Sequence, residues 1–284
     1  MSNTKDRLRA HLEALVGERH PFSSPHHLLH VQTYLSAQFR AFGLAVELHP
    51  FEVWGQTYHN VVATLPAQKQ PPLIIAAHYD TVEQSPGADD NASGLAVLLE
   101  TARALCRTPR RRPIRFIAFC LEEEDLLGSR AYVALLEKTR QSILGVIVLE
   151  CVGYTRSEAG SQRTPPHLPI SIPSIGDFLG VVGNEASRHL VTAIISCGRA
   201  TVPSLKMIPL TVPGKGDLLP DTRRSDHAAF WDQGYPAVML TDTANYRNPH
   251  YHQPSDTIET LDLDFLSHMV PLLVEVVTRL AENS

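Results

Sequence analysis

The stretch 73-LIIAAHYD-80 decides the fold, because a short and wholly apolar run ends at a histidine that an aspartate soon follows. Strands that are buried on both faces of a parallel sheet have such a continuous apolar composition. Three further runs, at residues 114–119, 143–149 and 237–240, are nearly all apolar. We therefore predict a sheet whose central strands are covered on both sides.

Helical patterns alternate with these apolar runs. Apolar side chains recur at helical spacing in residues 4–16, 25–43, 93–106, 129–138, 183–195 and 261–280. Residues 45–53 and 60–65 alternate instead with a period of two, which predicts a strand pair near a sheet edge. The alternation predicts an α/β fold, a three-layer α/β/α sandwich around a central mixed, mainly parallel sheet. No repeat or linker divides the chain, and we expect residues 1–284 to form a single domain.

The composition argues against several classes of protein. The 284 residues are 43% hydrophobic and carry a formal net charge of −5, which predicts a sizeable core and no basic surface for nucleic acid. The opening sequence MSNTKDRLRAHLEAL lacks the apolar centre of a signal peptide, and no apolar run approaches the length of a membrane span. We expect a cytoplasmic protein with neither a nucleic-acid nor a membrane partner.

Two stretches rich in proline interrupt the alternation of strands and helices. One covers residues 164–175, after the third apolar run, and the other covers residues 212–220. Long irregular loops in a compact domain commonly carry function. We therefore expect both stretches to form the rim or lid of a pocket.

Candidate metal ligands lie where the predicted strands end. They are His78, Asp90, Glu123, Glu150 and His252. A second carboxylate, Glu122, stands beside Glu123. Open α/β sheets bind ligands at the carboxyl ends of their strands, so these side chains should converge on one edge. Imidazole and carboxylate groups are ligands that zinc accepts.

Each candidate also has an ordinary structural explanation. A histidine at a strand end can simply be hydrogen bonded, and Asp80 is a natural acceptor for a second ring nitrogen of His78. Asp89 and Asp90 could cap the helix that follows them, and spacing alone does not choose between them. Glu150 is harder to explain, because a buried charge needs a partner. Convergence of all these groups on one edge favours a metal site.

In combination, the motifs resemble those of the co-catalytic zinc peptidases. This family includes bacterial leucyl aminopeptidase, yeast vacuolar aminopeptidase, glutamate carboxypeptidase and the glutaminyl cyclases. The resemblance covers about residues 61–261. Its Asp-x-x-Ser-Gly motif implies that Asp90, rather than Asp89, bridges two metal ions. Its Glu-Glu-x-x-Leu-x-Gly-Ser motif implies that Glu122 is the general base and Glu123 a zinc ligand, with Glu124 outside the motif.

The resemblance also implies roles for the remaining residues. His78 would bind one zinc ion with Asp80 as its supporting acid, and Glu150 and His252 would complete the ligand set. Many aminopeptidases of the family have aspartate where this chain has Glu150. The longer side chain can alter the geometry or occupancy of one metal site.

The implied function is a zinc-dependent aminopeptidase with two zinc ions per chain, in which Glu122 activates a zinc-bound water for the hydrolysis of N-terminal residues from peptides. A glutaminyl cyclase is an alternative, although such cyclases usually place tryptophan where this chain has Tyr251. A carboxypeptidase of the family is a further alternative, because the ligands do not say which peptide end enters. A non-catalytic domain would have lost ligands that this chain retains.

Two further groups of residues need an explanation. Ser225-Asp226-His227 superficially suggests a serine hydrolase, but three consecutive residues do not easily reach one another in a catalytic relay. We therefore expect them to have a structural role or to line the pocket wall. Loops near the site also carry four candidates for binding a substrate terminus, namely Arg223, Arg224, Tyr246 and Arg247.

Overall fold

The computed structural model describes residues 3–68 and 70–282, which contain one eight-stranded sheet. The strands are β1 (Ala45–Val53), β2 (Gln56–Leu65), β3 (Leu73–His78), β4 (Ile114–Phe119), β5 (Gly145–Glu150), β6 (Phe178–Asn184), β7 (Lys206–Val212) and β8 (Ala237–Thr241). The α-helices are α1 (Thr4–Leu15), α2 (Pro25–Ala41), α3 (Gly94–Leu105), α4 (Leu127–Thr139), α5 (Arg188–Thr201), α6 (His227–Asp232) and α7 (Leu263–Glu282).

The sheet is mixed, with parallel strands at its centre. The strand order is β1-β2-β4-β3-β5-β8-β6-β7. The central strands β4, β3, β5 and β8 are mutually parallel, whereas β2 pairs antiparallel with β4 and β6 pairs antiparallel with β8. The outer strand β1 is antiparallel to β2, and β7 is parallel to β6. The predicted α/β fold with a mixed, mainly parallel sheet is confirmed.

Two apolar layers enclose the sheet. In β3, Leu73, Ile75 and Ala77 belong to the layer that contains α1, α2, α3, α5 and α7. The intervening residues Ile74 and Ala76 belong to the layer that contains α4 and α6. Because both faces of β3 are buried, its sequence shows no alternation of polar and apolar residues.

The second half of the sheet differs from the sequence prediction. The helix predicted at residues 183–195 begins only at Arg188, because residues 178–184 form β6. In β6, Gly180 lies so close to β8 that an added Cβ would meet the Thr241 carbonyl oxygen at 3.2 Å. The prediction also missed β7, where Pro209 interrupts the apolar pattern. Proline is tolerated there because β7 is an edge strand.

The four parallel strands bring their carboxyl ends to one edge of the sheet. His78 is in register with Phe119, and Glu150 is in register with Thr241. The loops that follow these four residues therefore begin side by side. Within residues 3–68 and 70–282, no helix combines the length and the apolar character that a membrane span requires.

Candidate metal centre

The five predicted ligands lie together at this edge. His78 Nε2 is 3.1 Å from Asp90 Oδ1 and 3.4 Å from Glu150 Oε2. His252 Nε2 is 3.0 Å from Asp90 Oδ2 and 3.2 Å from Glu123 Oε2. Asp90 thus presents a different oxygen to each histidine, an arrangement suited to a carboxylate that bridges two metal ions.

Two overlapping sets of side chains have the spacing of metal ligands. One is His78, Asp90 and Glu150, and the other is Asp90, Glu123 and His252, with ligand atoms in each set within 4.8 Å of one another. Both ring nitrogens of His78, both carboxylate oxygens of Asp90 and Nε2 of His252 are buried without a hydrogen-bond partner. Buried polar atoms are nearly always satisfied. These orphaned atoms, all of types that bind zinc, therefore fit a pair of cations.

The turn that carries Asp90 also explains why the side chain of the preceding residue, Asp89, points away from the histidines. Asp256 accepts hydrogen bonds from the backbone N–H groups of Asp89, at 2.9 Å, and Asp90, at 3.1 Å. The Asp89 side chain turns away from the histidines and accepts from the Gly153 backbone N–H and the Asn248 amide, at 2.9 and 2.8 Å. Asp90, rather than Asp89, consequently faces both histidines.

Asp80 connects the end of β3 to the loop after β4. Its two carboxylate oxygens accept the backbone N–H groups of Glu122 and Glu123, at 3.0 and 3.1 Å. Its Oδ1 is 3.6 Å from His78 Nδ1, which is a close contact but too long for a hydrogen bond. Asp80 therefore positions the glutamate pair more directly than it orients the imidazole.

Glu122 lies beside the two ligand sets. Its Oε2 is 3.9 Å from His78 Nε2, farther than the oxygens of Asp90 and Glu150. His78, Glu122 and Glu123 nevertheless form a third set with metal-ligand spacing. Burial raises the pKa of Glu122 well above its ordinary value, although the nearby His78 opposes the shift. A strongly shifted carboxyl group in a cleft is typical of groups that transfer protons.

Crowded charges shift the pKa values of several ligands. Burial raises the pKa of Glu123 to about 7, and the charge of Asp90 reinforces the shift. Burial opposes ionisation of Asp90, but the imidazoles of His252 and His78, 3.0 and 3.1 Å from its oxygens, outweigh it and lower its pKa. Burial likewise opposes the charge on His252, yet the nearby carboxylates of Asp90 and Glu123 raise its pKa to about 10. Divalent cations bound here would compete with protons for these carboxylate and imidazole groups.

Ser225, Asp226 and His227 do not form a catalytic relay. Ser225 Oγ donates a 2.7 Å hydrogen bond to Glu150 Oε2, so it supports a candidate ligand. The Nε2 atom of His227 is 2.7 Å from the Thr222 carbonyl oxygen, and its pKa falls to about 4 because it is buried. Sequence patterns could not reveal the contact between Ser225 and Glu150, because 75 residues separate them.

Arg19 is a structural residue that sequence patterns did not reveal. It is fully buried, and its guanidinium donates to the backbone carbonyls of Leu15, Gly17, Tyr79, Pro86 and Gly87. Through these hydrogen bonds, Arg19 connects the end of α1 to the loop that runs from His78 to Asp90. A lone arginine between two helices carries no motif, so its role becomes visible only in three dimensions.

An apolar cavity of about 110 Å³ opens beside Glu150. The predicted rim loop contributes Pro165, Pro166, Leu168, Ile170 and Ile172, and β6, β7 and β8 contribute Phe178, Gly180, Val182, Ile208, Leu210 and Met239. One water molecule needs about 10–15 Å³ of such cavity volume, so the cavity has room for several non-hydrogen atoms. Its size and lining suit one apolar side chain.

The four residues that are candidates for binding a substrate terminus lie in different environments. Arg224 and Tyr246 line the cavity. Arg223 forms a 2.7 Å ion pair with Asp232, and the guanidinium of Arg247 lies 4.5 Å from the centre of the Phe178 ring. Of the two adjacent arginines, only Arg224 is therefore placed to meet a molecule in the cavity. The extra acid Glu124 lies 3.6 Å from His20 Nε2.

Comparison with protein families and sequences gives matches over most of the chain. Residues 60–277 match the model for Peptidase family M28. The YfbL protein of Escherichia coli K12 is 34% identical over 255 residues, covering 84% of this chain and 76% of YfbL. Leucine aminopeptidase 1 of Trichophyton rubrum is 28% identical over 242 residues, covering 79% of this chain and 58% of the fungal enzyme. The chain thus spans less than two thirds of that enzyme.

Solved structures share the fold. The LapA aminopeptidase of Legionella pneumophila superposes with a TM-score of 0.78 at 21% identity, covering 98% of this chain and 72% of LapA. Glutaminyl cyclase of Porphyromonas gingivalis gives 0.71 at 19% identity, covering 98% and 97%. The zinc aminopeptidase BSAP of Bacillus subtilis gives 0.62 at 27% identity, covering 81% and 52%. At their low identities, the first two similarities concern the fold alone.

Proposed function

Because this chain belongs to peptidase family M28, we propose that it is a zinc aminopeptidase that removes N-terminal residues from peptides. The observation that carries the proposal is the position of Asp90 between His78 and His252, with one carboxylate oxygen toward each. The Trichophyton and Bacillus relatives, which are named as a leucine aminopeptidase and a zinc aminopeptidase, support the same activity.

The ligand sets suit two zinc ions per chain. His78, Asp90 and Glu150 would hold one ion, and Asp90, Glu123 and His252 would hold the other. Each ion would have three protein ligands, which leaves a position for water or substrate, as in other catalytic zinc sites. Three carboxylates and two neutral histidines would leave one net positive charge on the pair, which favours an anionic nucleophile.

Glu122 is the residue that we assign to proton transfer. Bound zinc would polarise the scissile carbonyl and make water more acidic. Glu122 would accept the proton of the attacking water and deliver it to the departing amine. Asp80 would hold the Glu122 and Glu123 backbones in place through the two hydrogen bonds that it accepts. Ser225 would keep Glu150 oriented.

The apolar cavity gives the proposal a substrate preference. Glu150 lines both the metal centre and the cavity, so a side chain in the cavity would belong to a residue next to the scissile bond. We assign the cavity to the N-terminal residue of the substrate and expect leucine, methionine and phenylalanine to be favoured over charged residues. One methylene group in such a pocket changes specificity by about 10–200-fold.

Metal analysis combined with a panel of substrates tests the proposed function. The purified protein should contain up to two zinc ions per chain, and a chelator should abolish release of p-nitroaniline from leucine p-nitroanilide. The matched control is N-acetyl-leucine p-nitroanilide, whose blocked amine should prevent cleavage. Full turnover by metal-free protein would contradict the proposal. Cyclisation of N-terminal glutamine without leucine release would instead indicate a glutaminyl cyclase, and release of C-terminal residues alone a carboxypeptidase.

A further inference from the structure

Arg224 has an unusual environment at the mouth of the cavity. Its side chain is 42% exposed, and its guanidinium donates to two neutral groups, Asn245 Oδ1 at 2.8 Å and Tyr251 Oη at 3.2 Å. The carboxylate of Asp221 is 4.0 Å away, beyond hydrogen-bonding distance. Arg224 therefore presents a positive charge to the cavity that no direct ionic hydrogen bond neutralises.

The other arginines near acids are matched more closely. Arg223 approaches Asp232 to 2.7 Å, and Arg130 approaches Asp125 to 2.6 Å. Arg103 binds Glu100 at 2.8 Å. Guanidinium groups form strong, often bidentate hydrogen bonds with carboxylates. Of these four arginines, Arg224 is the one that retains capacity for a carboxylate from outside the chain.

Arg224 is also linked to both ligand sets. Its guanidinium lies 5.6 Å from the centre of the Tyr251 ring, and that ring stacks on the His252 imidazole at 3.8 Å. The next residue, Ser225, donates to Glu150. A substrate group that meets Arg224 would therefore lie close to the bond that is cleaved.

We propose that Arg224 binds a carboxylate on the residue that follows the scissile bond, above all the C-terminal carboxylate of a dipeptide. This inference rests on the aminopeptidase function proposed above. The guanidinium would repel the substrate's α-ammonium group. Because the cavity is assigned above to an apolar side chain of the N-terminal residue, the carboxylate that meets Arg224 belongs to the residue on the other side of the scissile bond. In a dipeptide, the C-terminal carboxylate is the anionic group on that side. Dipeptides should therefore be better substrates than the corresponding dipeptide amides.

Paired substrates test this role. Wild-type protein should hydrolyse Leu-Ala with a lower KM than its amide, Leu-Ala-NH2. Arg224→Gln should lower kcat/KM for Leu-Ala by about 10–100-fold, the usual worth of a hydrogen bond to a charged group, and should act mainly through KM. The same variant should change Leu-Ala-NH2 hydrolysis little, and Arg224→Lys should restore part of the loss because it retains the charge.

Two controls make the outcome decisive. Arg223→Gln removes the adjacent arginine, which pairs with Asp232, and should leave the preference for Leu-Ala intact. Leu-Asp-NH2 carries its carboxylate on a side chain, so a preference for this substrate alone would overturn the C-terminal assignment. Equal effects of Arg224→Gln on Leu-Ala and Leu-Ala-NH2, or no effect on either, would overturn the inference while leucine p-nitroanilide hydrolysis upholds the aminopeptidase. Loss of that hydrolysis in wild-type protein would overturn both.

Discussion

The sheet edge that carries the candidate metal ligands and the neighbouring apolar cavity are built from different kinds of side chain. At the edge, charged side chains lie at or after the ends of β3, β4 and β5, and hydrogen bonds hold the Asp90 and Glu122 backbones and the Glu150 carboxylate in place. The cavity is enclosed by apolar side chains of β6–β8 and by a proline-rich loop whose residues are only half buried or exposed. Glu150 belongs to both regions. Changes at the edge should therefore alter metal binding and kcat, whereas changes in the cavity should alter KM and side-chain preference.

The two adjacent aspartates provide the largest expected contrast. Asp90→Asn replaces the shared anionic ligand with a neutral amide, so zinc content and activity should both fall to near background. Asp89→Asn should retain zinc and most activity. The Asp89 side chain accepts from the Gly153 backbone N–H and the Asn248 amide and does not face the histidines, and burial raises its pKa well above the ordinary value.

Zinc content by elemental analysis and kcat with leucine p-nitroanilide measure this contrast. Thermal unfolding of both variants provides the control for folding. Equal zinc loss in the two variants would show that the edge responds to any change in this turn, and Asp90 would then have no special role.

A smaller effect is expected for the hydroxyl group that supports Glu150. Ser225→Ala removes the 2.7 Å hydrogen bond to Glu150 Oε2 and should weaken zinc affinity or activity by about 10–100-fold, as is usual for residues that orient metal ligands. Cys151→Ala is the matched control, since its sulfur makes only a weak 3.4 Å contact with Glu150 Oε1. Competition with a chelator should show a weaker zinc affinity in the Ser225 variant than in the Cys151 variant. The reverse order would contradict the assignment.

The loop over the cavity should give the smallest effect, confined to substrate binding. Leu168→Ala or Ile170→Ala removes apolar surface from the wall and should raise KM for leucine substrates by about tenfold. Zinc content should not change, because the apolar side chains of these two residues offer no atom that binds zinc. Shortening residues 164–175 should likewise alter KM or side-chain preference. Unchanged kinetics across several substrates would exclude the loop from substrate binding.

The sheet edge and the cavity also differ in how much of their structure could be predicted from the sequence. At the edge, β3 and β5 are short apolar runs that end at the candidate ligands His78 and Glu150. That pattern is local, so strand, strand end and candidate ligand were recognised together. The order of the strands then brought residues as distant as His78 and His252 into one site, because parallel strands share a carboxyl edge.

The cavity half lacked such local signals. β6 contains Gly180 and Gly183, and β7 contains Pro209, residues that are depleted in strands and therefore obscured both elements. Arg19 was missed for a related reason, since its five acceptors are backbone carbonyls that have no sequence signature. The composition of the proline-rich loop was enough to identify it as irregular. Which of its side chains line the cavity depends on the positions of β6 and β7, and the sequence did not predict these strands.

The central claim is that two adjacent glutamates divide the chemistry, with Glu122 transferring protons and Glu123 binding zinc. The most direct test measures zinc content and kcat for Glu122→Gln and Glu123→Gln. Glu122→Gln should retain zinc and lose about 10²–10⁴ in kcat, or roughly 3–5 kcal/mol of transition-state stabilisation. Glu123→Gln should lose zinc affinity, and added zinc should partly restore its rate. Loss of zinc from Glu122→Gln, with both zinc and activity retained in Glu123→Gln, would contradict the account.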